Sequence, residues 1–254
     1  VSNRILRSIK WRVNDAWKAK AIVSRLRAPV ATFTFDDFPR SAWLTGGEIL
    51  EAHGVRGTYF VAGAFDPENI AATDTVPGID YFRVEDVRAA HASGHEIGCH
   101  TFDHVDLPSQ TTPRILENIQ RNGRYLRAIV GDAGVTSFAY PRGETDIRAK
   151  YLLGRHFAVC RGTWPGVNAG LVDLSQLRCY SLDAQFQRFS LDTIIAQARN
   201  ANGWIVFNSH DVSSSPSPYG CTPQTLRTVL ARLQDAGIEV LPMKHALARV
   251  GFAT

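Results

Sequence analysis

The chain predicts an α/β protein built on a mostly parallel sheet, and three observations carry that reading. From Pro29 onward, runs rich in β-branched and aromatic residues alternate with runs of helical period, joined by short links. Hydrophobic residues make up 44% of 254, enough for a sizeable core in one α/β barrel or two small domains. No internal repeat, low-complexity tract or apolar run of membrane-spanning length competes with it.

Taken in order, residues Asn3 to Arg27 read as a basic amphipathic helix, so that residues 1–28 form an N-terminal helix and 29–254 the main domain. Ile5, Ile9, Val13 and Trp17 step by four, and Ile22 and Leu26 continue the stripe. Charges interrupt every apolar window, so no signal-peptide core is present. Two readings stay open: a helix packed over one end of the main domain, or a dock for an anionic membrane surface or partner. Trp11 and Trp17 suit both.

Strands are expected near 31–35, 57–61, 96–99, 137–140, 158–160, 178–181, 204–209 and 238–241. Helices are expected near 42–52, 84–92, 113–129, 147–153, 191–201, 223–236 and 243–250. Residues 64–80 form a long irregular insertion that reads as a lip over a site. The Ser- and Pro-rich run 213–220 reads as a loop that contacts substrate.

The formal charge of +4 is uneven. Residues 1–27 hold eight Lys or Arg against Asp15, and the remainder carries 20 basic against 23 acidic residues. A net of −3 argues against nucleic acid as a partner of the main domain. Cys99, Cys160, Cys179 and Cys221 show no CxxC spacing and read as buried thiols. That favours a reducing, cytoplasmic setting, with membrane association as the option the basic helix leaves open; the alternative is an exported protein with its signal removed and two disulfides.

Chemistry concentrates in two places. His100 and His104 follow the apolar run Ile97 to Cys99, and a spacing of four brings them to one side if the segment is helical. Such a pair either shares a divalent cation or caps a helix. Thr32-Phe33-Thr34-Phe35 ends in Asp36 and Asp37, at the kind of strand end where α/β proteins bind ligands. Extended chain points successive residues to opposite sides, so one carboxylate is free to hold a metal while the other acts as a base.

With these residues in view, the chain resembles the polysaccharide deacetylases (carbohydrate esterase family four, the NodB-homology domain). The resemblance runs through Thr34-Phe35-Asp36-Asp37, Gly57-Thr58-Tyr59-Phe60-Val61, His100 to His104, Phe138-Ala139-Tyr140-Pro141-Arg142-Gly143 and Ile205 to Asp211. It implies a distorted (β/α) barrel of about seven parallel strands. It also implies a divalent metal held by Asp37, His100 and His104: zinc first, with cobalt, nickel or iron also suited to the set. Asp36 matches the general base and His210 the general acid, and the main-chain N–H of Arg142 matches the oxyanion donor.

Two departures stand out. Ala139 replaces the arginine that often orients the base, as in a Phe-Ala-Tyr-Pro subgroup, leaving Arg161, Arg178 or Arg142 to take its place. Arg161-Gly162-Thr163-Trp164 lacks the aspartates of the fourth motif, leaving Asp173 and Asp183 as candidates to partner His210. Asp211 reads as structural, and Trp164 and Tyr219 as rim, core or sugar-stacking residues. His95 reads as packed at a strand start, and His53, His91, His156 and His245 as helix or surface residues.

The resemblance thus implies a metal-dependent N-deacetylase acting on a sugar or polysaccharide. The alternatives are a deacylase (deformylase) of a lipid-linked sugar and a catalytically silent carbohydrate-binding module on the same scaffold. The sequence sets neither the acyl group nor the oligomeric state.

Overall fold

A computed structural model describes residues 13–14, 16–69, 75–131 and 134–252. The main sheet contains β2 (Val30–Asp36), β3 (Thr58–Val61), β4 (Glu96–Cys99), β5 (Ser137–Ala139), β6 (Val159–Arg161), β8 (Tyr180–Ser181), β9 (Trp204–Ser209) and β10 (Glu239–Val240). Seven run in the order β6-β5-β4-β3-β2-β9-β8, and β10 lies beside the start of β2. Every pairing in it is parallel. A parallel bridge between Arg161 and Leu177 links the chain leaving β6 to the segment just ahead of β8. The sheet therefore curls into the distorted barrel that the family resemblance implies.

Helices α1 (Glu48–Ala52), α2 (Val84–Ala92), α3 (Thr112–Val130), α4 (Ile147–His156), α5 (Leu191–Ala201), α6 (Pro223–Asp235) and α7 (Met243–Val250) fall where the periodicity places them. The expected helix at 42–52 opens as a π-helical turn, Ala42–Gly47, before α1. Helix starts carry local signals: Asp146 accepts from the amide of Ala149 at the start of α4, and Thr222 accepts from Thr225 ahead of Pro223 in α6. On α3, Ile115, Asn118, Ile119, Asn122 and Leu126 are buried, a stripe at helical spacing with two amides in its middle. Those amides matter for the site below.

The period of two along β2 explains what faces inward. Ala31, Phe33 and Phe35 pack into the large apolar cluster shared with Ile49, Leu50 and Leu230. Thr32, Thr34 and Asp36 alternate with them: Thr32 accepts from the indole of Trp204, and Thr34 donates to the carbonyl of Phe207. Asp36 is thus delivered to the mouth of the barrel by strand alternation.

The N-terminal expectation needs correcting. Ala21–Val23 is not helical but a strand, β1, paired antiparallel with β7 (Leu171–Asp173) in a separate two-stranded ribbon. A helical turn does join Val13 and Trp17, whose amide donates to the Val13 carbonyl. Of the expected helix Asn3 to Arg27, residues 3–12 and Asp15 lie outside the described residues, and 18–27 contain no helix. Buried Lys150 explains the break: it pairs with Asp173 at 2.9 Å and donates to the carbonyls of Asn14 and Trp17, ending the helical bonding there. No described helix is long and apolar enough to cross a membrane. All four cysteines are free thiols and buried.

Candidate active site

Asp37 immediately follows β2, but alternation does not carry it away from Asp36. Its φ is +61° and that of Phe38 +53°, so the chain coils left-handed and keeps both carboxylates at the mouth of the barrel. Of six non-glycine residues with positive φ among those described, five lie here: Asp37, Phe38, Thr101, His104 and Arg142. Such backbone costs about 1–3 kcal/mol per residue, and its clustering marks a site whose geometry the surroundings impose.

The pair His100 and His104 meets, but not on a helix. The segment after β4 is a turn in which Thr101 and His104 are left-handed. Asn118 of α3 builds it: its side-chain oxygen accepts from the amides of Phe102 and Asp103, and its NH2 donates to the Asp103 carboxylate. Arg114 and Arg121 hold the same carboxylate. Asn122, one turn along, accepts from the amide of Gly63 and donates to the carbonyl of Val61. Spacing of four therefore finds the right pair for the wrong reason.

The donor set fits a metal. Asp37 Oδ1 is 3.4 Å from His100 Nε2 and 3.4 Å from His104 Nε2. A four-coordinate ion with bonds of about 2.0–2.1 Å spaces its ligand atoms about 3.3 Å apart. His100 Nδ1 lies 2.8 Å from the carbonyl of Ala139, to which it donates, leaving a lone pair on Nε2 toward Asp37. Buried Asp37 Oδ1 has no hydrogen-bond donor. Three potential ligand atoms, on Asp37, His100 and His104, lie within 4.8 Å of one another, a grouping that suits a cation. Burial, partly offset by Asp36 and Asp37, pushes His100 down to about 4, which keeps it a neutral ligand.

Asp36 stands beside this group in a different environment. Arg161, fully buried on β6, places Nη2 2.5 Å from both carboxylate oxygens and donates from Nη1 to the carbonyl of Gly162. Burial opposes ionisation, but Arg161, His100 and His210 together outweigh it and hold Asp36 below the usual carboxylate range. Of the three arginines considered from the sequence, Arg161 is the one that orients Asp36. Arg178 donates to the carbonyl of Pro165, and Arg142 lines the cleft.

His210 follows β9, with Nε2 3.7 Å from Asp37 Oδ2. Its Nδ1 lies 3.3 Å from the carbonyl of Tyr219, which also accepts the His210 amide. Asp173 is committed to Lys150, whereas Asp183 lines the cleft. Asp211 is structural, as its neighbourhood suggested: it accepts from the amide and hydroxyl of Ser217 and so shapes the loop that presents Tyr219. A cleft of about 890 Å3 joins Asp36, Asp37, His104, Arg142, His210 and Tyr219, with Val76 of the 64–80 insertion and Asp106, Glu144 and Asp183 on its walls.

Asn118 is the site residue the sequence reading missed. It sits at an ordinary position of an amphipathic helix, and only its place in the middle of an apolar stripe hinted at a buried role.

The chain belongs to the polysaccharide deacetylase family: the family model of that description matches residues 24–156. Among curated relatives, a peptidoglycan-N-acetylglucosamine deacetylase of Listeria monocytogenes is 28% identical over 145 residues, covering 55% of this chain and 28% of the relative. A chitooligosaccharide deacetylase of Azorhizobium caulinodans is 32% identical over 111 residues, covering 43% of this chain and 46% of the relative. The chain thus spans less than half the length of these two relatives. A solved pseudoenzyme of carbohydrate esterase family four from Bacillus anthracis superposes with a TM-score of 0.57 at 15% identity, covering 88% of this chain and 66% of that one. That likeness concerns the fold.

Proposed function

We propose that this protein is a metal-dependent hydrolase that removes acetyl groups from an N-acetylated sugar or polysaccharide. The observation that carries the reading is the convergence of Asp37, His100 and His104 on one point, flanked by Asp36 held ionised by Arg161. The deacetylase relatives support the substrate class.

An amide is a poor electrophile and an amine a poor leaving group, so hydrolysis needs an activated water, a polarised carbonyl and a proton for the nitrogen. A divalent ion, when bound, supplies Lewis acidity and lowers the pKa of water. Asp37, His100 and His104 would hold it. Asp36 takes the proton of the attacking water, and Arg161 keeps that carboxylate oriented and ionised. The Arg142 amide donates to the oxygen that gains charge as the carbonyl becomes tetrahedral. His210, at the cleft surface, gives a proton to the departing nitrogen. Tyr219, 55% exposed beside it, offers a face for a sugar ring.

The test is acetate release from chitooligosaccharides, peptidoglycan fragments and O-acetylated xylan, with zinc or cobalt supplied. Release from the first or second supports the proposal. Metal uptake without release from any of them would favour sugar binding without turnover, and release from xylan alone would make the enzyme an O-deacetylase.

A further inference from the structure

Large apolar side chains exposed on the described surface are few, and they are not scattered. Val13, Trp17, Val23, Ile147, Tyr151 and Leu171 make up six of the eight. All six belong to the N-terminal segment or to the elements it is tied to. Asn14 donates to the carbonyl of Thr145, Lys150 reaches the carbonyls of Asn14 and Trp17, and Lys20 donates to the carbonyls of Phe157 and Ala158. The chain from 14 to 20 therefore runs along α4 for its whole length. Ile147 and Tyr151 share a face of α4 one turn apart, as do Val13 and Trp17 in their turn. Val23 and Leu171 are directly paired across the β1–β7 ribbon.

Exposed cations lie on the same segments. Lys18, Arg25, Arg27 and Arg155 are exposed, and Arg155 lies over the Tyr151 ring at 5.5 Å. By sequence, residues 16–27 hold Lys18, Lys20, Arg25 and Arg27 and no acid. Of the acids within the same elements, Asp173 is paired with Lys150, and Asp146, which caps α4 beside Ile147, has Arg148 at 3.6 Å. Aromatic and aliphatic tips on segments that also expose Lys and Arg suit the headgroup region of an anionic bilayer, where the rings enter the interface and the cations meet phosphate.

We propose that this face, formed by the segment 13–27, α4 and the β1–β7 ribbon, docks onto an anionic lipid surface. The proposal is independent of the hydrolytic reading. The test uses the full chain, because β1 and the Lys150 anchor make the N-terminal segment part of the fold. Co-sedimentation with phosphatidylglycerol vesicles is compared with phosphatidylcholine vesicles at low and high salt.

Binding is expected to the anionic vesicles alone and to fall with salt. Lys18→Gln with Arg155→Gln should weaken it about 25-fold, at about fivefold per cation. Trp17→Ala with Tyr151→Ala should weaken it further, whereas Leu44→Ala, exposed elsewhere, should not. Brominated lipid should quench wild-type tryptophan fluorescence more than that of Trp17→Phe, a readout that survives if a double variant fails to fold. No sedimentation at low salt would overturn the proposal, as would equal binding by all variants. Equal affinity for soluble polyglutamate without quenching would assign the face to an acidic polymer instead.

Discussion

Arg161 and Asp36 stand 125 residues apart in sequence, yet one guanidinium nitrogen lies 2.5 Å from both oxygens of the carboxylate. Both side chains are buried, so neither charge has water to fall back on. Removing one partner of a buried pair costs about 3–5 kcal/mol, whereas replacing both by apolar groups is often neutral or stabilising. Arg161→Met should therefore lower stability by about 3–5 kcal/mol, and adding Asp36→Leu should restore much of it. Urea midpoints of the two single variants and the double variant measure this. Additive losses would mean that the two groups are not coupled.

The same pair sets a pH dependence. Arg161 holds Asp36 below its ordinary range, so the stability that the pair contributes is present above the unfolded carboxylate pKa. It is lost as pH falls through the depressed folded value. In Arg161→Gln, burial acts on Asp36 with less opposition, so the acid limb of any acetate-release profile should move to higher pH. An unmoved limb would show that Asp36 does not titrate in the reaction.

Asn118 positions the turn that carries His100 and His104. Asn118→Ala removes both amide acceptances and the bond to Asp103, and supporting partners of this kind are worth about 10–100-fold in metal affinity. Calorimetric titration of zinc, and the visible spectrum of the cobalt form, should show that loss. Unchanged affinity would leave Asn118 a packing residue only.

His210 lies across from Asp37, His100 and His104 without belonging to their set. His210→Asn should lower kcat by about 10²–10⁴, the range typical of a general acid, with metal affinity unaltered. A matching fall in metal affinity would reassign it as a ligand.

His95 offers a test away from the cleft. It is fully buried, accepts from the amide of Gly57 and faces Glu51 at 3.4 Å. Burial lowers it to about 4, against an ordinary value near 6.5. The unfolded chain therefore binds the extra proton first, and stability should fall as pH drops from about 6.5 toward 4. His95→Phe should show a shallower fall over that window in thermal melts; an identical slope would exclude His95 as its source.

The donors at the mouth of the barrel are legible in the sequence, because each sits where a local pattern ends. Thr32 to Phe35 alternates and then runs into Asp36 and Asp37, Ile97 to Cys99 runs into His100, and Trp204 to Ser209 runs into His210. Strand–helix alternation likewise announced the parallel sheet, since burial periods of 2 and 3.6 are written within a few residues. The three-dimensional structure decided the rest. A turn clamped by Asn118, not a helix, brings His104 to His100, and left-handed Asp37 joins them rather than turning away from Asp36. Arg161, rather than Arg142 or Arg178, reaches Asp36, and the chain at 21–23 leaves its helical stripe to pair with Leu171–Asp173. Hydrophobic period is a property of neighbours along the chain. The partner of a buried charge, or the backbone a residue is forced to adopt, depends on groups a hundred or more positions away that meet only after the barrel closes.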